Sequence, residues 1–260
     1  MKNLIHIIKF ELRIYFASPI IYILATVFFG ICGYMFWDLL ANFSEYSLQA
    51  VNLERMVQNE NISANSLIFI PLFSYMGFFL LLVIPLMTMR LLAEEKKIGT
   101  IELLLTYPSR NSEIVFAKFL ASLVVLMIMI GATSLYPVVA RVYGVVRFAP
   151  LIAGYLGLLL QGVAIMSIGI FASSLTENQI VSAIVTYGIV VILSSITWTA
   201  DFIPENISRV FGYISLSSHF SVLISGVIDT REIMYYVLFT IFFLWSALKS
   251  LESEKWRKRL

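Results

Sequence analysis

Charged residues are scarce in this chain. Aspartate, glutamate, lysine and arginine make up 13% of its 260 residues, whereas soluble domains carry about 25%. Hydrophobic residues make up 60% and fall in blocks, several of which approach or exceed the roughly 20 residues needed to cross a ~30 Å hydrocarbon core. A transmembrane β-barrel would alternate apolar and polar residues, and these blocks do not. The composition therefore predicts an all-α polytopic membrane protein.

Three further absences exclude functional classes. The single cysteine, Cys32, offers neither a disulfide framework nor metal-ligand spacing. No glycine is followed by lysine, so the chain has no phosphate-cradling P-loop and is predicted to bind neither ATP nor another cofactor itself. The only histidines are His6 and His219, and neither lies in an HExxH motif. No catalytic residue, metal site or nucleic-acid partner is predicted, and an intramembrane enzyme is a poor interpretation.

The apolar blocks predict one transmembrane domain over residues 1–260, with six spans. The predicted spans cover residues 19–37, 67–92, 113–140, 150–173, 179–199 and 233–248. An amphipathic helix over residues 2–16 precedes them, with Lys9 and Arg13 on its polar face, as in an interfacial elbow helix. The polar segment 38–66 is predicted to contain no spanning run and at most a short surface helix near 48–56.

The distribution of positive charge predicts the orientation. Six spans place both termini on one side of the membrane, and that side carries 13 of the 18 lysines and arginines, including every lysine. Because short cytoplasmic loops are enriched in lysine and arginine, both termini are expected in the cytoplasm. The predicted location is the inner (cytoplasmic) membrane.

Residues 202–228 form a mixed segment before the sixth span. Pro204 and Gly212 break it too often for a spanning helix, yet its apolar side chains, such as Phe220, are too many for a solvated loop. We expect short re-entrant helices that turn at Gly212 or near residues 217–218. In this hypothesis Pro204, Gly212 and Phe220 belong to an outer gate.

A charged segment separates the second and third spans. Arg90 and Glu94 lie four residues apart, so they can pair where the second span ends. Glu95, Lys96 and Lys97 are then expected to draw the chain into water. The segment is predicted to sit at the membrane surface, where a soluble partner can reach it.

The sequence predicts a short, separate helix within this charged segment. Gly99 supplies a bend, Thr100 can cap the new helix, and Glu102 lies in its first turn, where the helix dipole favours it. Leu104 and Leu105 contribute an apolar face. Two interpretations remain open on the pattern alone: an interfacial helix lying among the lipid headgroups, or a docking element for a cytoplasmic partner.

RLLAEEKKIGTIELLLTYP, residues 90–108, resembles the cytoplasmic-loop signature of ABC type-2 transporter permeases. The subfamily that includes the gliding-motility permease and the copper-site maturation permease of nitrous-oxide reductase is similar at other points. These are ELRIYFASPIIYIL (11–24), GYLGLLLQG (154–162), FASSLTENQIV (171–181) and SGVIDTREIMYY (225–236). The resemblance covers nearly the whole chain.

The resemblance implies the same six spans, elbow helix and re-entrant outer helices. It also implies that residues 94–107 contain a coupling helix that docks on a separate cytoplasmic ABC ATPase, which holds ATP and magnesium. The coupling residues would be Glu94, Glu95, Gly99, Thr100, Glu102, Leu104 and Leu105. A second permease chain, identical or homologous, is expected to complete the substrate path.

The resulting hypothesis is a permease subunit that switches between inward- and outward-facing states, as an exporter or as a transmitter of mechanical force. An auxiliary periplasmic or membrane subunit is a possible further partner. The alternative is a non-transporting membrane scaffold that anchors a multiprotein complex, which needs the same spans and an exposed docking helix. For the mid-span Gln161, helix packing is favoured over lining a substrate path.

Overall fold

The computed structural model describes residues 2–52, 65–100, 111–143, 147–196 and 204–257. All regular structure in these ranges is helical, which confirms the predicted all-α class. The helices are α1 (Lys2–Ala17), α2 (Pro19–Asn52), α3 (Ile70–Thr88), α4 (Ala93–Ile98), α5 (Asn111–Ala132), α6 (Leu135–Tyr143), α7 (Phe148–Leu175), α8 (Gln179–Ser195), α9 (Glu205–Ile214), α10 (Leu216–Ile224) and α11 (Thr230–Arg257), with a π-helical turn (Asn65–Phe69) before α3.

Five helical segments of the described chain are long and apolar enough to cross a membrane. They are Pro19–Glu45, Asn65–Ile98, Ser112–Val142, Phe148–Leu175 and Thr230–Ser253. The predicted fifth span, 179–199, corresponds to α8, which is apolar but only 17 residues long. At 1.5 Å per residue that is about 25 Å, short of a full crossing, and residues 197–203 lie outside the described ranges. The six-span layout therefore stays a prediction.

The helices differ from the predicted spans at several places, such as the last helix, which runs to Arg257 where the predicted span ends at 248. The first span, predicted over 19–37, is followed without a break by more helix, because α2 continues to Asn52 through the first part of the polar segment 38–66. Asp38 and Asn42 lie on its exposed side, where the Asn42 amide donates to the Asp38 carboxylate at 3.3 Å, while Leu40 stays in the core. Within the third predicted span, 113–140, a turn separates α5 from α6, and there the Thr133 hydroxyl donates to the Ile130 carbonyl.

Helix α7 is the centre of the bundle. It packs against α3, α5, α8, α10 and α11, and the neighbours come close because glycines line it. At Gly154 an added Cβ would meet the ring of Phe73, near the start of α3. At Gly169 it would meet Thr88, the last residue of α3. Small residues of this kind let transmembrane helices approach each other.

The segment before the last helix contains two short helices, α9 and α10, and its broken apolar pattern predicts short helices there. The chain bends at Ser215, between the two predicted positions, and the Ser215 hydroxyl caps α10 by accepting from the Ser218 amide. The Tyr235 and Tyr236 hydroxyls of α11 donate to the carbonyls of Ile214 and Leu216, at 2.6 and 2.8 Å. These bonds hold the bend against α11.

We expect Gly169→Ala to destabilise the bundle. A methyl at this position would lie within 2.7 Å of the Thr88 Cβ, and overpacking of this kind costs about 1–3 kcal/mol. Gly30→Ala is the matched control, because Gly30 is mid-helix in α2 with nothing within 4 Å of an added Cβ. Thermal unfolding in detergent should show a lower Tm for Gly169→Ala alone. Equal Tm values for the two variants would contradict this packing.

Candidate functional site at the junction of α3 and α4

The predicted coupling segment begins at α4, which hydrogen bonds fix to the C-terminal end of α7. The Ser173 hydroxyl accepts from the backbone amides of Leu92 and Ala93, at 3.0 and 2.9 Å. It also donates to the Met89 carbonyl at 3.2 Å. One side chain thus satisfies the backbone groups that the chain exposes between α3 and α4, where helical hydrogen bonding is interrupted.

Two of the three charged residues of α4 expected to face water, Lys96 and Glu95, turn inward instead. Lys96 is 9% exposed, and its ammonium donates to the Ser174 carbonyl at 2.6 Å. The Ser250 hydroxyl of α11 donates to the same carbonyl at 3.0 Å. The expectation that Glu95, Lys96 and Lys97 together draw the chain into water is correct only for Lys97, which is exposed.

Glu95 belongs to a buried ion cluster with Lys118 of α5 and Glu11 of α1. The Lys118 ammonium lies 2.7 Å from Glu11 Oε1 and 2.6 Å from Glu95 Oε1, and its side chain is 2% exposed. Burying one ammonium is costly unless carboxylates compensate it. The cluster therefore ties three helices that are distant in sequence to a single position.

Helix α1 is fixed on the same side by a second polar contact. The Tyr15 hydroxyl lies 2.7 Å from the Ser122 hydroxyl of α5 and 3.4 Å from the Met87 carbonyl of α3. Burial raises the pKa of the Tyr15 phenol, so it stays protonated and able to donate. The elbow residues Lys9 and Arg13 are exposed on the opposite face of α1, as the sequence predicts.

Sequence reasoning missed Glu11 and Lys118 as partners, although both left a signal. Glu11 follows Ile8 by three residues and precedes Tyr15 by four, so it lies on the apolar side of an amphipathic helix. Lys118 interrupts a predicted span. A charge within such a segment normally has a partner inside the protein, but spacing alone does not name a partner about a hundred residues away.

Of the other predicted coupling residues, Glu94, Gly99 and Thr100 lie within the described ranges, which end here at residue 100. Glu94 is half-buried, and its side chain makes no ion pair with Arg90 or any other described residue. Gly99 ends α4 in the left-handed region, with φ +80°, and donates to the Lys96 carbonyl. The Thr100 hydroxyl donates to the Glu95 carbonyl at 3.3 Å. Glu102, Leu104 and Leu105 lie outside the described residues.

The predicted gate residues have different surroundings. Phe220 is buried among glycines: a Cβ at Gly77 would come within 2.6 Å of its ring. Pro204 precedes α9, and Gly212 lies beside an open cleft that His219, Arg231 and Glu232 also line. The His219 ring pairs with the Glu232 carboxylate. The sequence analysis did not predict this pair. Within the described ranges, no group of three His, Cys, Asp or Glu residues could hold a metal ion.

Gln161 sits beside Phe220 in the core. Its carbonyl oxygen would lie 2.9 Å from a Cβ at Gly77, and it is buried without a hydrogen-bond partner among the described residues. Its surroundings are those of a packed helix contact, in agreement with the packing role favoured above.

Comparison with known proteins places most of the chain in one family. A family model described as "ABC-2 family transporter protein" matches residues 5–251. No curated protein matches the chain.

We expect Lys118→Met to destabilise the protein strongly. It leaves two carboxylates facing each other without a cation, and removing one partner of a buried ion pair costs about 3–5 kcal/mol. Adding Glu11→Gln and Glu95→Gln to Lys118→Met should restore part of the loss, because no buried charge then remains uncompensated. Lys97→Met, on the exposed side of α4, is the control. A Tm for Lys118→Met equal to that of the control would contradict the cluster's structural role.

Proposed function

The chain belongs to the ABC-2 family of transporter proteins, whose members are membrane permease components of ABC transporters, and we propose that a separate cytoplasmic ATPase drives it. Membership confirms the family that residues 90–108 predict. The family's permeases are generally non-catalytic, so ATP and magnesium would be bound by the ATPase partner. The missing P-loop in this chain supports that division of labour.

The observation that carries the proposal is the fixation of α4. Its backbone is bonded to Ser173, Lys96 reaches Ser174, and Glu95 reaches Lys118. A displacement of residues 94–107 would therefore move α7 and α5 with it, and Lys118 would pass the motion on to α1. Packed side chains and hydrogen bonds between rigid elements are a physical route for coupling between distant sites.

In this proposal Leu104 and Leu105 dock in a groove on the ATPase, and Glu94 and Glu102 contribute polar contacts at its rim. Glu95 acts differently from its expected role, since its carboxylate faces Lys118. It would fix the helix rather than contact the partner. Exposed ion pairs contribute about 0–1 kcal/mol each, so the leucines would dominate.

Two permease chains would face each other around a substrate path, and closure of two ATPases on ATP would switch them between inward- and outward-facing states. Both termini and residues 94–107 would lie in the cytoplasm and 202–228 at the outer surface. The lysine asymmetry supports this orientation. The similarity to the gliding-motility and nitrous-oxide-reductase maturation permeases favours export or force transmission.

The docking step is tested by Leu104→Asp with Leu105→Asp. Burial of a leucine side chain contributes about 1.5–3 kcal/mol, so two buried aspartates should abolish co-purification of the ATPase while the permease stays folded. Ser109→Asp with Ser112→Asp adds the same charge after Pro108, beyond the predicted helix, and should keep the ATPase bound. Wild-type recovery of the ATPase by the double leucine variant would leave 94–107 as an interfacial helix and favour the scaffold alternative.

Substitution of Gly99 tests whether the bend there orients the coupling segment for its role. Proline cannot adopt the φ of +80° found there, nor can it donate to the Lys96 carbonyl. Gly99→Pro should leave part of the ATPase binding intact and lower the ATPase activity of the assembled complex.

The control is Gly99→Asn, because asparagine tolerates the left-handed region best after glycine. It should keep most of the activity. Equal activity in the proline and asparagine variants would show that the bend has no role in coupling.

A further inference from the structure

A cavity of about 770 Å³ opens between α1, the start of α2, the end of α3 and α4. Its apolar wall includes Phe10 and Ile14 of α1, Ile21 and Leu24 of α2, and Leu86 of α3. Phe10 and Ile14 are 59% and 49% exposed. An interfacial helix that leaves large apolar side chains exposed beside a cavity of this size can admit an acyl chain from the surrounding leaflet.

The polar wall of the same cavity carries charged side chains that the described residues leave partly without partners. Arg90 lines it, and its Nε is buried without a hydrogen-bond partner in the described part of the chain. Glu94, one helical turn further, makes no ion pair with the described residues. Oε2 of Glu95 is buried and unpartnered as well, because only Oε1 reaches Lys118. One cationic and two anionic side chains therefore line a space with an apolar exit.

The balance of charge selects the headgroup. The cavity is lined by two cations, Arg90 and Lys118, and three carboxylates, Glu11, Glu94 and Glu95, which leaves one net negative charge. Lys118 is already engaged by two of those carboxylates. A phosphate can accept from the Arg90 guanidinium, but a purely anionic headgroup would face uncompensated repulsion. A headgroup that also carries a primary ammonium can donate to Glu94, beside the negative charge of Glu95.

We propose that this cavity binds a zwitterionic phospholipid whose headgroup combines a phosphate with a primary ammonium. The phosphate lies against Arg90, the ammonium against Glu94 and Glu95, and an acyl chain along Phe10 and Ile14. A quaternary ammonium cannot donate hydrogen bonds, so phosphatidylcholine should bind less well. The site stands on these contacts alone and does not depend on the docking of an ATPase.

The test uses the full chain, purified in detergent and stripped of lipid, with native mass spectrometry and thermal unfolding as readouts. Phosphatidylethanolamine should be retained by the wild-type protein and raise its Tm, and phosphatidylglycerol and phosphatidylcholine should do so at least tenfold less effectively. Arg90→Gln and Glu94→Gln should each abolish the preference. Lys97→Gln should keep it, because Lys97 is exposed and does not line the cavity.

Ile14→Trp provides a variant that leaves the charges in place. Ile14 is half-exposed, so a larger ring should be tolerated there while occupying the path of the acyl chain. Its unliganded Tm should match the wild type, and phosphatidylethanolamine should no longer raise it. Equal retention of all three lipids, stronger retention of phosphatidylglycerol, or an unchanged preference in Ile14→Trp would each overturn the proposal.

Discussion

The structure depends on the burial of one ammonium group. Lys118 lies in an apolar helix, and the ion would be too costly there if Glu11 and Glu95 did not reach it. Those carboxylates come from the N-terminal amphipathic helix α1 and from α4, so satisfying one charge positions two elements on the bundle. The cost of an unpaired charge makes the arrangement specific, because α1 or α4 cannot shift by a helical turn without leaving Lys118 uncompensated.

Packing around α7 extends this constraint through the bundle. Glycines of α7 admit Phe73 and Thr88 of α3, so α3 and α7 are in backbone-to-side-chain contact along their length. At the end of that contact the Ser173 hydroxyl accepts hydrogen bonds from the two backbone amides of Leu92 and Ala93, which follow α3. The position of α4 is therefore set by the helix pair that forms the core. An element that emerges from such a core transmits a push better than a loop that only crosses the surface.

The sequence predicts the elements whose signal is local. The scarcity of charge predicts the helical membrane class, the periodicity of residues 2–16 predicts α1, and the proline and glycine pattern predicts two short helices near residues 204–228. It fails where a tertiary partner decides. The polar residues after Asp38 predict the end of the first span, yet Leu40 packs in the core and α2 continues as a helix. Lys96 and Glu95 look solvated in sequence, but Ser174 and Lys118 take them inward. Ser174 lies 78 residues from Lys96, and Lys118 lies 23 residues from Glu95. Helical periodicity does not reach partners at these separations.

Two glutamates belong to both of the proposed sites, which are otherwise separate. Glu94 and Glu95 belong to the proposed coupling segment and also line the cavity beside α1. A lipid headgroup held there would contact the element that an ATPase is proposed to move, and Lys118 would join both to α5. If displacement of α4 changed the distance between Arg90 and Glu94, the lipid would bind the two states of the permease unequally. Linkage then requires the converse: occupancy of the cavity would shift the equilibrium between the states by the same free energy. The bilayer would act on the permease as a ligand as well as a solvent.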